Sequence, residues 1–321
     1  MLMNGILAVD LGGTKTAVGM VGVDGSVIDK ETAPTPRGDP NETVGLIAAL
    51  AQKVQSRVGK AASLGLALPG FMDRKRRVLL NSPSSGWDNV PFVSMMEEAL
   101  GLPAEADNDV NACAWAEARF GAGRGLGSFF WMQVSTGIGG AVFDGGRIIG
   151  GANGMAGEIG HLVVNPGGEV CGCGNRGCLE AEAAGPAWRR RALRLLDDLP
   201  PSTGSAAAGG GFLARLPRAS VDARSIAEGA RAGDSLCVEV LRESATMLAR
   251  GIAAVYTVLD PEAVILGGGV AGALDLLLPI VRGLLPSMVV APQARTTVLC
   301  PSELGYDAAL VGAASLAIFP Y

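Results

Sequence analysis

The chain has 321 residues, 49% of them apolar, with 47 glycines and a formal net charge of −5. That length predicts two domains of ordinary size, each able to bury its own core, and the apolar content excludes a disordered chain. The acidic balance disfavours nonspecific binding to nucleic acid or to an anionic membrane.

The first residues, Met1 to Asn4, lack the basic n-region of a signal peptide, and Ile6 to Val9 is too short for its apolar region. No apolar run reaches the roughly 18 residues that a membrane span needs. Ile6 to Val9 reads instead as a buried strand ending in Asp10-Leu11-Gly12-Gly13-Thr14-Lys15, with Ala17 to Val21 and Ser26 to Glu31 as returning strands. Gly12 and Gly13 let backbone amides approach phosphate oxygens. Thr14 and Lys15 add a hydroxyl and a positive charge, and Asp10 can hold Mg²⁺ through water. A hairpin follows where a Walker A loop would need a helix, so that motif is excluded; a plain tight turn with an exposed lysine is the alternative for this hexapeptide alone.

Asn41 to Val58 has helical periodicity, and Ser63 to Leu68 reads as a strand entering the turn Pro69-Gly70-Phe71-Met72-Asp73. The basic run Arg74 to Arg77 reads as a solvated hairpin tip in preference to an anion or partner site. Asn81-Ser82-Pro83 through Gly86-Trp87 is a polar loop, either facing a hydrophilic ligand or forming a surface turn. Leu102 to Ala106 is a short strand opening onto Asp107-Asn108-Asp109, ahead of an alanine-rich helix over Ala112 to Phe120. Three cap-forming residues are more than one helix start requires, which assigns Asp109 a chemical role.

Phe129 to Val134, the turn Ser135-Thr136-Gly137-Ile138-Gly139-Gly140 and Ala141 to Asp144 repeat the design at Asp10, suggesting a duplicated phosphate-binding fold. The stretch from Gly157 to Glu182 then carries the only histidine, His161, ahead of Cys171, Cys173 and Cys178. Three of the six cysteines thus fall within one short segment. One imidazole and three thiolates can close a tetrahedron around Zn²⁺, with Gly172, Gly174 and Gly177 supplying tight turns. Glu158 and Glu180 flank the cluster, so the zinc reads as structural and the carboxylates as the working groups. A single histidine excludes the zincin protease motif. Thiolates that ligate metal must stay reduced, which predicts a cytoplasmic address.

A helix is expected near Ala187 to Leu196, Leu199 to Ser220 reads as a mobile low-complexity loop, and helical pattern runs from Val221 to Leu259 with few breaks. The strand Ala263 to Leu266 leads to Gly267-Gly268-Gly269-Val270 and a helix. Gly267, Gly269 and Gly272 match the spacing of a dinucleotide fingerprint, but no acid falls between Asp275 and Glu303 to bind a ribose, so that reading is rejected. What remains is a glycine turn at a helix N-terminus, suited to packing a nucleotide. Asp307 to Phe319 is a closing helix.

Taken in order, Asp10 to Thr16, Pro69-Gly70, Asn108-Asp109 with Asn111, Thr136-Gly137 with Gly139-Gly140, Glu158 with His161, the cysteine segment through Glu180, and Gly267 to Gly269 closely resemble the ROK family of repressors, open reading frames and kinases. The resemblance covers nearly the whole chain and implies an α/β, two-lobed actin-like ATPase and sugar-kinase fold built from duplicated ribonuclease H-like domains. It implies an N-terminal lobe of residues 1–116 plus 307–321 and a C-terminal lobe of residues 117–306. The phosphate turn begins at Asp10, leaving no room for the repressors' helix-turn-helix ahead of it, so the kinase branch is implied. ATP, Mg²⁺ and a hexose then bind in the cleft, with structural Zn²⁺ on His161, Cys171, Cys173 and Cys178. Asp109 is the implied general base. Asn81, Asn108, Asp109, Glu158, His161 and Glu180 contact the sugar. Asp10, Gly12, Gly13, Thr14, Lys15, Thr136, Gly137, Gly139, Gly267 and Gly268 contact the nucleotide. The expected activity is phosphorylation of a hexose, glucose at its 6-hydroxyl first, with N-acetylglucosamine, N-acetylmannosamine or another hexose as the alternative. A noncatalytic sugar sensor is the rival reading, and the intact Asp109 speaks against it. No nucleic acid or membrane partner is expected; the family suggests a homodimer.

Overall fold

A computed structural model describes residues 5–73, 75, 77–199, 211–293 and 296–319. Within them the chain forms two compact units. The first is built from Met1–Trp131, Ala141–Gly157 and Ser302–Tyr321, and the second from Met132–Gly140 and Glu158–Pro301, as far as their residues are described.

The first unit begins with the strands β1 (Ile6–Leu11), β2 (Lys15–Val21) and β3 (Val27–Pro34) and the helix α1 (Pro40–Val58). Asp39 caps α1 by accepting from the Asn41 amide, and Pro40 opens its first turn. After β4 (Leu64–Leu68) come the short strands β5 (Phe71–Asp73), β6 (Val78–Ser82) and β7 (Trp87–Val90), which pair as a separate three-stranded sheet. Helix α2 (Phe92–Leu100), strand β8 (Ala104–Asn108) and helix α3 (Asp109–Phe120) follow. The main sheet has the order β3-β2-β1-β4-β8, with β1 to β3 an antiparallel meander and β4 and β8 parallel additions. Its α1 face is a continuous core containing Leu7, Val9, Ile47, Leu50, Leu64 and Leu66. The chain's last described helix, α9, runs over Ala308–Ile318 and packs on α3, β1 and β4. Small residues allow that approach: a Cβ on Gly65 would lie 1.8 Å from the Ala313 carbonyl oxygen, and one on Gly312 would lie 2.2 Å from that of Ala112.

The second sheet repeats the order. Strands β9 (Ser128–Val134), β10 (Ile138–Asp144) and β11 (Arg147–Ile148) stand where β1, β2 and β3 stand in the first, and β12 (Ala263–Gly267) and β13 (Leu299–Pro301) replace β4 and β8. Between β11 and β12 run α4 (Leu179–Ala183), α5 (Gly185–Asp197), α6 (Ala223–Arg231) and α7 (Ser235–Leu259), and α8 (Leu274–Leu284) precedes β13. Trp188, Leu248, Ile252, Val264 and Ile265 are fully buried or nearly so. The duplicated α/β architecture expected of the two glycine-turn hairpins is present.

Several local expectations are refined. The helical pattern from Val221 to Leu259 has one break, between α6 and α7: Gly233 turns at φ 82° and Asp234 caps α7 by accepting from the Cys237 amide at 3.0 Å. Gly267 to Gly269 leads into a short 3₁₀ turn over Gly269–Ala273 before α8 begins. The polar stretch from Asn81 to Trp87 is a surface turn over residues 83–86, flanked by the paired ends of β6 and β7. The basic run falls in the β5–β6 hairpin connection, as expected; Arg74 and Arg76 lie outside the described residues, and Arg77 is partly exposed but tied back to the fold. Its guanidinium donates to Glu97 Oε1 at 2.8 Å and to the Ala104 carbonyl at 2.6 Å, pinning the ribbon to α2 and the start of β8. The Leu199 to Ser220 loop lies outside the described residues over 200–210; its described end forms short 3₁₀ turns at Leu213–Arg215 and Arg218–Ser220.

Candidate active site

In the first unit the β1–β2 turn is closed by the Gly12 amide donating to the Lys15 carbonyl at 3.0 Å. Thr35, at the end of β3, clips it from outside: its hydroxyl donates to the Gly12 carbonyl at 2.7 Å and its amide to the Thr14 carbonyl at 3.0 Å. A Cβ on Gly12 would lie 2.8 Å from the Lys15 carbonyl oxygen, and one on Gly13 the same distance from the Ser84 side chain. The turn therefore leaves no room for side chains at Gly12 and Gly13, and Thr14 and Lys15 are exposed beside it. Burial pushes the Asp10 carboxyl up to about 6, against the pull of Lys15 and with a smaller push from Asp307. A desolvated carboxylate beside this glycine turn fits the oxygen chemistry that Mg²⁺ requires.

The start of α3 divides three neighbouring polar residues among three tasks. Asp107 is buried, its Oδ1 accepting from the Asn108 amide at 2.7 Å and from Asn111 Nδ2 at 3.1 Å. Asn108 is the cap: Oδ1 accepts from the Val110 amide at 2.8 Å while Nδ2 donates to the Gly70 carbonyl at 2.9 Å. Gly70 has φ 114°, and a Cβ there would lie 2.1 Å from the Asn81 carbonyl oxygen, so Pro69-Gly70 ties β6 to the helix start. Asp109 is thereby left to the first helical turn, its Oδ1 accepting from the Val110 amide at 3.0 Å. Asn108 opens onto a cavity of about 630 Å³ within this unit, lined also by Met72, Asp73, Asn111 and the segment from Gly150 to Met155. Asn81 is exposed on β6 and does not line it. Thr35, Asp73 and the 150–155 segment were not singled out in the sequence, where nothing in local spacing marks them.

In the second unit the four metal-ligand candidates come together. One donor atom each from His161, Cys171, Cys173 and Cys178 lies within 4.8 Å of the others. Cys173 Sγ and Cys178 Sγ are 3.7 Å apart, as are Cys171 Sγ and His161 Nδ1. Bonds of about 2.3 Å from Zn²⁺ to sulfur in a tetrahedron require sulfurs about 3.8 Å apart, so the donor set fits that ion in type, number and spacing. Burial pushes the Cys178 thiol up to about 12, whereas the Asn175 amide brings Cys173 down to about 7. With Nδ1 toward the sulfurs, His161 Nε2 faces Glu158 Oε2 at 3.9 Å.

The metal segment and the second glycine turn are built into each other. Glu180 Oε2 accepts from the Ile138 amide at 2.9 Å, and a Cβ on Gly137 would lie 2.5 Å from the same oxygen. Gly160, inside the 3₁₀ turn Ile159–His161, lies so close that a Cβ would meet the Ile138 carbonyl oxygen at 2.0 Å. Burial pushes the Glu158 carboxyl above its usual range, opposed by His161 and reinforced by Glu180. The third glycine turn joins the second: Gly268, at φ 93°, would bring a Cβ within 2.6 Å of the Val134 carbonyl oxygen, and Gly269 would meet Ser135 Oγ at 2.9 Å. Thr136 is exposed at the tip of this pair, with Gly137 and Gly139 beside it and Gly267 at the end of β12.

A family model described as ROK family matches residues 6–319. A glucokinase from Streptomyces coelicolor is 33% identical over 316 residues, covering 98% of this chain and 98% of its own. An N-acetylmannosamine kinase from Escherichia fergusonii is 35% identical over 312 residues, covering 97% of each. Among solved structures, a ROK family glucokinase from Streptomyces griseus, in complex with glucose and AMPPNP, superposes with a TM-score of 0.81 at 33% identity, over 97% of this chain and 98% of the other.

Proposed function

This chain belongs to the ROK family, and from that premise we propose that it is an ATP-dependent hexose kinase that converts glucose to glucose 6-phosphate. The observation that carries the reading is the junction at Ile138. There the sugar-binding candidates Glu158, His161 and Glu180 and the phosphate turn at Gly137 are held as one block by the Glu180 and Gly160 contacts. A site so built couples the position of a sugar to the position of a nucleotide, which is what phosphoryl transfer needs.

In the reaction the sugar hydroxyl oxygen attacks the γ-phosphorus, its proton passes to the Asp109 carboxylate, and the bond to the β–γ bridging oxygen breaks to release ADP. Asp109 suits this role because Asn108 and Asp107 have taken over capping and bracing. Asp10 would hold Mg²⁺ through water, and the bound ion would neutralise charge on the phosphates. Gly12, Gly13, Gly137, Gly139, Gly267 and Gly268 would cradle the nucleotide with backbone amides, with Thr14, Lys15 and Thr136 at its edge. Asn81, Asn108, Glu158, His161 and Glu180 would hold the sugar hydroxyls. Zn²⁺ on Nδ1 of His161 and the three sulfurs would leave Nε2 for the sugar. A homodimer and a cytoplasmic address, the latter required by reduced thiolates, complete the reading.

The experiment is ATP consumption by the purified protein with Mg²⁺ against glucose, mannose, fructose, allose, N-acetylglucosamine and N-acetylmannosamine. Turnover highest with glucose is the expected result. Preference for an acetylated sugar, which the 35% identity to an N-acetylmannosamine kinase favours as second reading, would keep the mechanism and change the substrate. Silence across the panel with sugar binding intact would overturn the kinase.

A further inference from the structure

Glu182 is a charged side chain that the proposed chemistry does not use, yet it is only 3% exposed. It sits on α4 two residues beyond Glu180, and residues so spaced diverge across a helix. A carboxylate removed from water is costly unless its oxygens are satisfied, and here each is. Oε1 accepts from the Glu169 amide at 2.6 Å; Oε2 accepts from Asn165 Nδ2 at 3.3 Å and faces the Arg191 guanidinium at 3.5 Å. Arg191 is held in turn by Glu243 at 2.6 Å and by Ser244 Oγ at 2.8 Å. The approach is close enough to require glycine: a Cβ on Gly168 would lie 2.0 Å from Glu182 Oε1.

Both residues that this carboxylate fixes also bind Gly177. The Asn165 amide donates to the Gly177 carbonyl at 3.1 Å, beside the Val164 amide at 2.9 Å, and the Gly177 amide donates to the Glu169 carbonyl at 2.7 Å. Gly177 precedes Cys178, and the segment that carries the cysteines has little regular structure, with isolated bridges at Val163–Cys178 and Val170–Arg176. One end of this loop closes on the cluster of His161 and the three cysteines, the other on Glu182.

We propose that Glu182, charge-balanced by Arg191, is the positioning residue of the metal loop: it holds Asn165 and Glu169, and through Gly177 it sets the geometry in which the three sulfurs and His161 receive the metal. The inference rests on the zinc reading above. Because His161 and Glu180 sit on the same loop and helix, the effect reaches the sugar end of the site and not the glycine turns of the first unit.

The test is the full-length Glu182→Gln protein, which keeps the volume and removes the charge. Zinc affinity is read by competition with a chromophoric chelator, and ligand geometry by the visible absorption of Co²⁺ put in place of zinc. The expected result is a loss of zinc affinity of about 10- to 100-fold, weaker tetrahedral Co²⁺ bands, and a rise in sugar KM that exceeds the fall in kcat. Asn165→Ala, which removes one of the donors, shifts zinc affinity the same way by a smaller factor and carries the test alone if the first variant does not fold. Native zinc affinity and Co²⁺ spectrum in the folded variants overturn the proposal, as does a lowered melting temperature with zinc affinity unchanged. A native protein that takes up no zinc would overturn the metal reading itself, a failure distinguishable from that of Glu182.

Discussion

The two sheets share one strand order and one glycine-turn hairpin, but they present their polar side chains by different means. In the first unit Asp10, Lys15 and Asp109 sit on or at the ends of regular elements: β1, β2 and α3. In the second unit Glu158 and His161 come from the connection between β11 and α4, a loop gathered at four metal-ligand candidates, and Glu180 from the first turn of the short helix that closes it. The clips differ too. Thr35 holds the first turn by donating a hydroxyl hydrogen to the Gly12 carbonyl, whereas Glu180 holds the second by accepting from the Ile138 amide. Duplication thus repeats the backbone cradle and leaves the chemistry to what lies outside it. A regular element fixes a side chain through its own hydrogen-bond ladder; an irregular loop needs a staple.

The comparison is broken most severely at α3. Asp109→Asn should lower kcat by about 10²- to 10⁴-fold, the usual cost of losing a general base. Asn108 still caps the helix in that variant, so the fold should be nearly unchanged, and sugar affinity should fall far less than kcat. Stopped-time ATP consumption with calorimetric sugar binding checks both halves, and full turnover in the variant would remove Asp109 from the mechanism.

Stripping the metal acts on the other side of the comparison. With the chelated protein, sugar affinity should fall by about 10- to 100-fold, the loss of one charged hydrogen bond or its equivalent from Glu158, Glu180 and His161, while nucleotide binding falls much less. Equal losses for both ligands would mean that the staple supports the whole unit and not the sugar end. Zinc removed with sugar affinity unchanged would separate the metal from those carboxylates altogether.

The difference between the units also marks what was legible in the sequence. The hairpins at Asp10 and Ser135 were readable because strand alternation and glycine turns are local, and the cysteine cluster because its spacing is short. Asp109 emerged from an excess of caps, but the division of labour among Asp107, Asn108 and Asp109 depends also on Gly70, which local pattern does not connect to them. Thr35 and Glu182 carried no signal. Each acts across a gap, on Gly12 and on Asn165 and Glu169, and a threonine after a strand or a glutamate on a helix is ordinary by itself. Arg77 is legible as part of a hairpin tip, but only the fold brings its guanidinium to Glu97. The ribbon β5–β7 reads as turn and loop because its strands are of three to five residues, below the length at which alternation is informative.

The smallest effect sharpens the comparison within the first unit, at Asp10. Its carboxyl stands at about 6 against an ordinary 3.8, raised chiefly by burial. It is therefore neutral below that pH and anionic above it, and if it holds Mg²⁺, binding of the Mg²⁺–nucleotide should strengthen as pH rises through 6 and then level. Stability runs the other way. An acid whose pKa is raised on folding binds its proton more tightly in the native state, so stability falls as pH climbs from about 4 to 6 and the cost persists above. Asp10→Asn should weaken nucleotide affinity about three- to tenfold at pH 7.5 and flatten its pH profile. It should also melt higher than the native protein at pH 7.5, with that advantage vanishing toward pH 4. The two signatures oppose each other, so melting and nucleotide titrations over the same pH range distinguish a group strained for binding from one that is merely buried; a variant that loses affinity but gains no stability would mean that Asp10 is not strained in the free protein.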